Sequence, residues 1–258
     1  MRERSNKSGK LISFHFSYYI MAFFYVLAGY FLNLIIFTIL ILVHEFGHCL
    51  AALLCHFRID KVVIYPFGGR TTLDIGYNRD IHLELFVASF GVILQFVFYL
   101  GICFFHQKYF IRTYAMDLFT LYHREIILFN LLPIYPLDGG KIINMLLCFI
   151  FPYRLSNEIT IFLSGVSIFF FFVFYRFNYA NIMIVSVLLF YLYQFYQKRH
   201  YIYQRFLLER YLSTISYSKV KVVKNIYSFY RNRVHFVKRG KKIIAEKNAL
   251  NHYFQKKR

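Results

Sequence analysis

One stretch of the chain has residue types and spacing that can do chemistry by themselves: His44-Glu45-Phe46-Gly47-His48. Four residues apart on a helix, the two imidazoles leave the same face and can bind one ion. Glu45 projects beside them, where it can take a proton from a water that a zinc ion activates. The stretch lies inside an apolar run, residues 34–54. A carboxylate flanked by two histidines is costly there unless it meets a metal or a wet cavity. The competing reading is a pair of polar-network histidines packing a helix bundle.

A catalytic zinc needs a third protein ligand. The cysteines are poor candidates. Cys49 lies about 100° round the helix from His48, and Cys55, Cys103 and Cys148 are single small residues in apolar runs, which fits packing. Asp74, Asp80, Glu84, Asp117 and Glu125 fall near the ends of apolar runs, where charge is cheap. Asp138 differs, because it follows Asn130-Leu131-Leu132-Pro133-Ile134-Tyr135-Pro136-Leu137 and precedes Gly139-Gly140. Two prolines and two glycines free backbone groups and let the chain turn a carboxylate inward, so Asp138 is the best third ligand.

Pro66-Phe67-Gly68-Gly69 separates two strand-like segments, residues 62–65 and 70–73. Such an edge can pair with an extended substrate backbone, which would make Phe67, Gly68 and Gly69 substrate-binding residues. Equally, it can be a tight turn that needs glycine for positive φ.

The elements that must hold these groups are membrane helices. The 258 residues are 59 % apolar, 22 % aromatic and 17 % charged, against about 45–50 % apolar and 25 % charged in soluble domains. That imbalance excludes an ordinary soluble domain and a disordered chain. Four cysteines without framework spacing exclude a disulfide scaffold. No small-residue cleavage site follows the first apolar stretch, which therefore reads as a retained span. Six spans are expected: residues 11–30, 31–54, 85–105, 118–132 running through Pro133 and Pro136 into a further apolar stretch to 151, 159–175, and 180–196. Residues 117–151 can be one broken helix or two, and a broken helix at membrane depth must be buried or line a wet cavity.

Charge divides the chain into a basic N-terminal segment (1–10), a transmembrane domain (11–197) and a basic tail (198–258). The tail has seventeen Lys and Arg against Glu209 and Glu246, a net +15 of the chain's +19. Arg2, Arg4, Lys7 and Lys10 mark the other end. An even number of spans and the positive-inside rule put both termini in the cytoplasm. A solvated tail explains the charge most simply, although it could also touch anionic lipid, nucleic acid or an acidic partner. Within the tail, residues 220–223, 234–237 and 243–245 read as short strands, with a turn at Arg239-Gly240. Residues 226–230 and 249–254 read as short helices, which makes a small α+β unit.

His44–His48 in a span, followed by Asn130 and Pro136-Leu137-Asp138-Gly139-Gly140, resembles the site-2 protease family of intramembrane zinc metalloproteases. Ile64-Tyr65-Pro66-Phe67-Gly68-Gly69 and residues 199–211 extend the likeness over nearly the whole chain, toward the sporulation members of that family. The resemblance implies His44, His48 and Asp138 as zinc ligands, Glu45 as base, and Asn130 and Pro136 near the substrate. It implies a polytopic α-helical protein with a small CBS-like cytosolic domain. It further implies cleavage of the pro-sequence of a late sigma factor on the mother-cell side, with a nucleotide such as ATP at the tail and room for inhibitory membrane partners and an oligomer. One departure is that Gly91 precedes Val92, where the family often carries Gly-Pro.

Two other functions compete. A metal or proton transporter would spread polar residues along several spans, whereas here they concentrate at two places. A membrane anchor for a nucleic-acid-binding tail leaves His44–His48 unexplained, and the tail carries no zinc-finger or RNP signature. Nucleic acid is not an expected partner; the lipid bilayer is.

Overall fold

A computed structural model of the chain describes residues 12–66, 68–74, 76–109, 113–174, 179–213, 217–240 and 242–255. The N-terminal basic segment and Phe67 lie outside the described residues. The chain divides into two compact units, residues 1–75 with 89–128, and residues 76–88 with 129–258.

The first unit opens differently from expectation. Ile12–Phe14 form a strand, β1, and helix α1 covers only Phe16–Leu27, so residues 11–30 are not one span. At about 1.5 Å per residue, the 12 residues of α1 fall well short of a ~30 Å hydrocarbon core. The cause is a better partner for the backbone: β1 pairs in parallel with β2 (Arg58–Tyr65), Ile12 with Val62 and Phe14 with Ile64. The His15 ring then caps α1 by accepting the Ser17 N–H at 3.3 Å. The turn expected at Gly29-Tyr30 is present. Gly29 has φ 78°, its N–H reaches Val26 O at 3.1 Å, and Tyr30 N–H reaches Tyr25 O at 2.9 Å. That pair of bonds closes a helix on a left-handed glycine.

Helix α2 follows at Phe31–Leu54, and β3 (Gly68–Asp74) completes a three-stranded sheet of order β1-β2-β3. β2 and β3 are antiparallel, with Val62 opposite Thr71 and Ile64 opposite Gly69. Val62 and Ile64 are buried with Ile36, Leu40 and Ile41 of α2, so this face of the sheet is an apolar floor against the helix. Phe119 and Ile126 of α4 (Thr113–Leu131), with Phe98, Tyr99 and Ile102 of α3 (Ile81–Tyr109), complete that core.

Residues 117–151 resolve as two helices, α4 ending at Leu131 and, in the second unit, α5 at Asp138–Ile150. Helix α6 is Tyr153–Phe174, and α7 runs unbroken from Tyr179 to Leu212. The boundary expected at 197/198 thus falls inside α7. Among the described helices, Phe31–Leu54, Ile81–His106 and Tyr153–Phe174 are long and apolar enough to cross a membrane. Phe96, Leu100 and Phe104 on α3, and Phe162, Phe169 and Phe170 on α6, are exposed. Rows of bare phenylalanine are stable in lipid and not in water.

The tail folds as its pattern suggests. β4 (Val220–Val223), β5 (Val234–Arg239) and β6 (Lys242–Ala245) form a sheet, β4 parallel and β6 antiparallel to β5. A one-turn 3-10 helix lies at Ile226–Ser228 and α8 at Glu246–Gln255. Gly240, φ 60°, makes the turn. Phe206, Leu207, Phe229, Val237 and Leu250 supply its core. Arg231 is buried against Glu84, with Nη1 donating to Oε2 at 3.0 Å and Nη2 to the Arg79 carbonyl at 3.1 Å. Glu84 therefore serves a structural ion pair.

A second buried charge cluster makes this unit sensitive to acid. His235 stacks on Phe229 at 4.5 Å, and its Nε2 accepts the Tyr230 N–H at 2.9 Å. Its Nδ1 faces Glu246 Oε2 at 3.2 Å. Protonating Nε2 would set a donor against a donor. Burial pushes the His235 pKa below its ordinary value and the Arg210 charge adds to this, although the hydrogen bond to Glu246 opposes both. Burial would raise Glu246, but the His235 hydrogen bonds and the Arg210 charge bring it below the usual carboxylate range. Both folded pKa values thus lie below the unfolded ones. The stability these groups supply is complete above the unfolded histidine value and is lost as pH falls, through His235 first and Glu246 later. Amides of β5 and α8 should exchange with solvent measurably faster at pH 5 than at pH 7 after correction for intrinsic rates. Equal protection at both would show that His235 is not buried in its neutral form.

Candidate metal centre

Helix geometry brings the three motif side chains together. His44 Nε2 and His48 Nε2 are 3.2 Å apart, and the ligand atoms of His44, Glu45 and His48 all lie within 4.8 Å of one another. All three residues are buried, between 2 % and 6 % exposed. Two nitrogens bound tetrahedrally to one zinc at about 2.0–2.1 Å stand about 3.3 Å apart. The observed separation therefore fits a shared zinc.

His44 and Glu45 are each held by a neighbour that the sequence alone does not single out. Gln95, fully buried on α3, sets its Oε1 3.0 Å from His44 Nδ1 and sends its Nε2 toward the His123 carbonyl at 3.4 Å. A carbonyl oxygen there requires the proton on Nδ1, which turns the Nε2 lone pair toward His48. Thr71 Oγ1 donates to Glu45 Oε2 at 2.6 Å. Packing is close enough to dictate glycine. A Cβ at Gly47 would come within 2.7 Å of the Phe90 carbonyl, and one at Gly91 within 2.6 Å of His48 Cε1. Gly91, followed by Val92, thus leaves α3 free to lie directly on the His48 ring.

The Gly68-Gly69 pair divides its duties. Gly68 has φ 146°, which L side chains rarely adopt. Gly69 has a different reason: a Cβ would fall on the Glu45 side chain, 2.6 Å from Oε1. β3 thus runs across the acid itself, and its second long edge pairs with no strand among the described residues.

In the second unit, Asp138 is buried at the first position of α5, and Lys141 Nζ reaches its Oδ1 at 2.9 Å. Gly139 and Gly140 allow this. Their missing Cβ atoms make room for the carbonyls of Leu131 and Leu132 and for the Ile134–Tyr135 peptide. Tyr135 N–H is fixed to Ser164 Oγ at 3.0 Å and its ring is stacked on Phe195 at 3.9 Å. Pro136 follows a cis peptide bond, and Asn130 is half-buried in the last turn of α4.

The chain is similar to Stage IV sporulation protein FB of Bacillus subtilis (strain 168), with 29 % identity over a 260-residue alignment that covers 93 % of this chain and 90 % of that protein. It matches the Site-2 Protease from Methanocaldococcus jannaschii with a TM-score of 0.56 at 20 % sequence identity, over 74 % of this chain and 92 % of that one. The chain has the site-2 protease fold. No family model matches it.

In this site-2 protease fold, Gln95 was the more visible of the two missed residues. It is a lone amide in the apolar run Val92-Ile93-Leu94-Gln95-Phe96-Val97, where an unpaired polar group is costly. Thr71 gave no signal, because threonine is ordinary in a strand. Gln95→Leu should weaken zinc binding about 10–100-fold, the usual cost of an outer-shell partner. Gln95→Glu, which still offers an oxygen to Nδ1, should bind nearly as the parent does. Competition with a chromogenic chelator measures both, and equal affinity for Gln95→Leu would remove Gln95 from the site.

Proposed function

We propose that the chain is an intramembrane zinc metalloendopeptidase that cuts a membrane-associated protein precursor, the pro-sequence of a late sporulation sigma factor. One observation carries the reading: two imidazole nitrogens 3.2 Å apart beside a buried carboxylate, in a chain with the site-2 protease fold. The likeness to Stage IV sporulation protein FB supports the substrate class.

In this reading His44, His48 and Asp138 hold the zinc. When bound, the metal polarises the scissile carbonyl and lets water attack near neutral pH. Glu45 accepts the water's proton and delivers it to the departing amine. A helical substrate segment must unwind before attack, and the outer edge of β3 offers it a strand to pair with. Phe67, Gly68 and Gly69 would contact it there, with Asn130 and Pro136 nearby. Apolar walls keep stray water away and strengthen each electrostatic contact.

Topology and the role of the tail follow from charge and likeness. Both termini face the cytoplasm by their basic residues, Arg2, Arg4, Lys7 and Lys10 at one end and the +15 tail at the other. The +15 tail, CBS-like in its α+β pattern, holds the substrate near the membrane and takes a nucleotide such as ATP. The test is co-expression with a membrane-associated sigma-factor precursor. A shortened product is expected with the intact chain and none with Glu45→Gln. Full-length precursor in both would reject the reading.

A further inference from the structure

We propose that Thr71 is a positioning residue for Glu45, an inference that rests on reading Glu45 as the base. Two independent contacts point to it. Thr71 Oγ1 donates to Glu45 Oε2 at 2.6 Å. Two residues away on the same face of β3, Gly69 backs directly on the Glu45 side chain, where a Cβ would meet Oε1 at 2.6 Å. Alternation along a strand requires this pairing of 69 with 71. The register supports it, because their partners Ile64 and Val62 point into the same buried floor.

The chemical consequence follows from the inventory of each group. A carboxylate has two oxygens and rotates freely unless something holds it. The Thr71 hydroxyl has a single hydrogen, and it is given to Oε2. That bond turns the carboxyl plane and directs Oε1 to the proton transfer, while the Gly69 backbone stops the side chain from swinging aside. Cys49 Sγ, 4.0 Å from Thr71 Oγ1 and one helical turn beyond Glu45, closes the hydroxyl's other side. The strand that would hold the substrate therefore also aims the base, so scissile peptide and proton acceptor share one support.

Full-length protein in lipid nanodiscs would be assayed as wild type, Thr71→Val, Thr71→Ser and Glu45→Gln. Valine keeps the β-branched shape and removes the hydroxyl; serine keeps the hydroxyl. Thr71→Val should lower kcat about 10–100-fold, as a misaimed group does, with KM and zinc content unchanged. Thr71→Ser should stay within about threefold of wild type. Wild-type cleavage by Thr71→Val, with Glu45→Gln inactive, would overturn the proposal alone. Equal losses in the serine and valine variants, or loss of zinc, would assign Thr71 to folding instead. Equal activity of wild type and Glu45→Gln would overturn the base itself and this inference with it.

Discussion

Glu45→Gln should retain zinc and cleave about 10²–10⁴-fold more slowly, the range a positioned acid-base group contributes. The substitution keeps the shape of the side chain, and its amide oxygen can still accept the Thr71 hydroxyl. His44 keeps its Gln95 partner, and no ligand nitrogen is removed. What is lost is the ability to accept a proton, because an amide is not a base at neutral pH. Zinc content and cleavage should be measured on one purified preparation. The geometry makes this pairing informative, since Glu45 also lies within ligand distance of the histidines. Loss of zinc along with activity would mean that Glu45 ligates the metal. Normal cleavage would mean that another group takes the proton.

The parts of this site that were legible in sequence are those fixed by local periodicity. His44 and His48 meet because a helix turns about 100° per residue, and nothing distant can alter that. The tail strands and the turn at Gly240 were legible for the same reason: alternation and glycine placement are local. Gln95 and Thr71 act through contacts 51 and 26 residues away in sequence from the groups they hold, and such contacts depend on tertiary packing. The strand at Ile12–Phe14 was hidden in a similar way. Its apolar residues fit a span equally well, and only the β2 edge decides between them. Gly69 is intermediate, because glycine announced a special position. The reason, the space Glu45 occupies, required the fold. Gly91 is a second instance, since its neighbour His48 is 43 positions away.

Asp138→Asn should lose zinc by at least about 100-fold, more than removal of an outer-shell partner costs, and lose cleavage with it. The expectation begins with burial. Asp138 is 4 % exposed, and a buried carboxylate must be paired or bound to a metal. Lys141 Nζ on Oδ1 at 2.9 Å supplies one partner. The helix N-terminus adds a favourable field. Those two alone could keep an aspartate in place for purely structural reasons, so zinc must be measured together with thermal stability. Asparagine fits the same space between Lys141 and the start of α5 but offers a neutral oxygen, a poor zinc ligand in a dry site. Asp117→Asn is the matched control, because Asp117 is exposed on α4 and should change neither zinc nor cleavage. A structural aspartate would give Asp138→Asn a lower melting temperature and full zinc affinity. A third ligand would give it weak zinc binding at a melting temperature close to that of the zinc-free wild type. If Asp117→Asn loses zinc equally, the third ligand lies elsewhere in the chain.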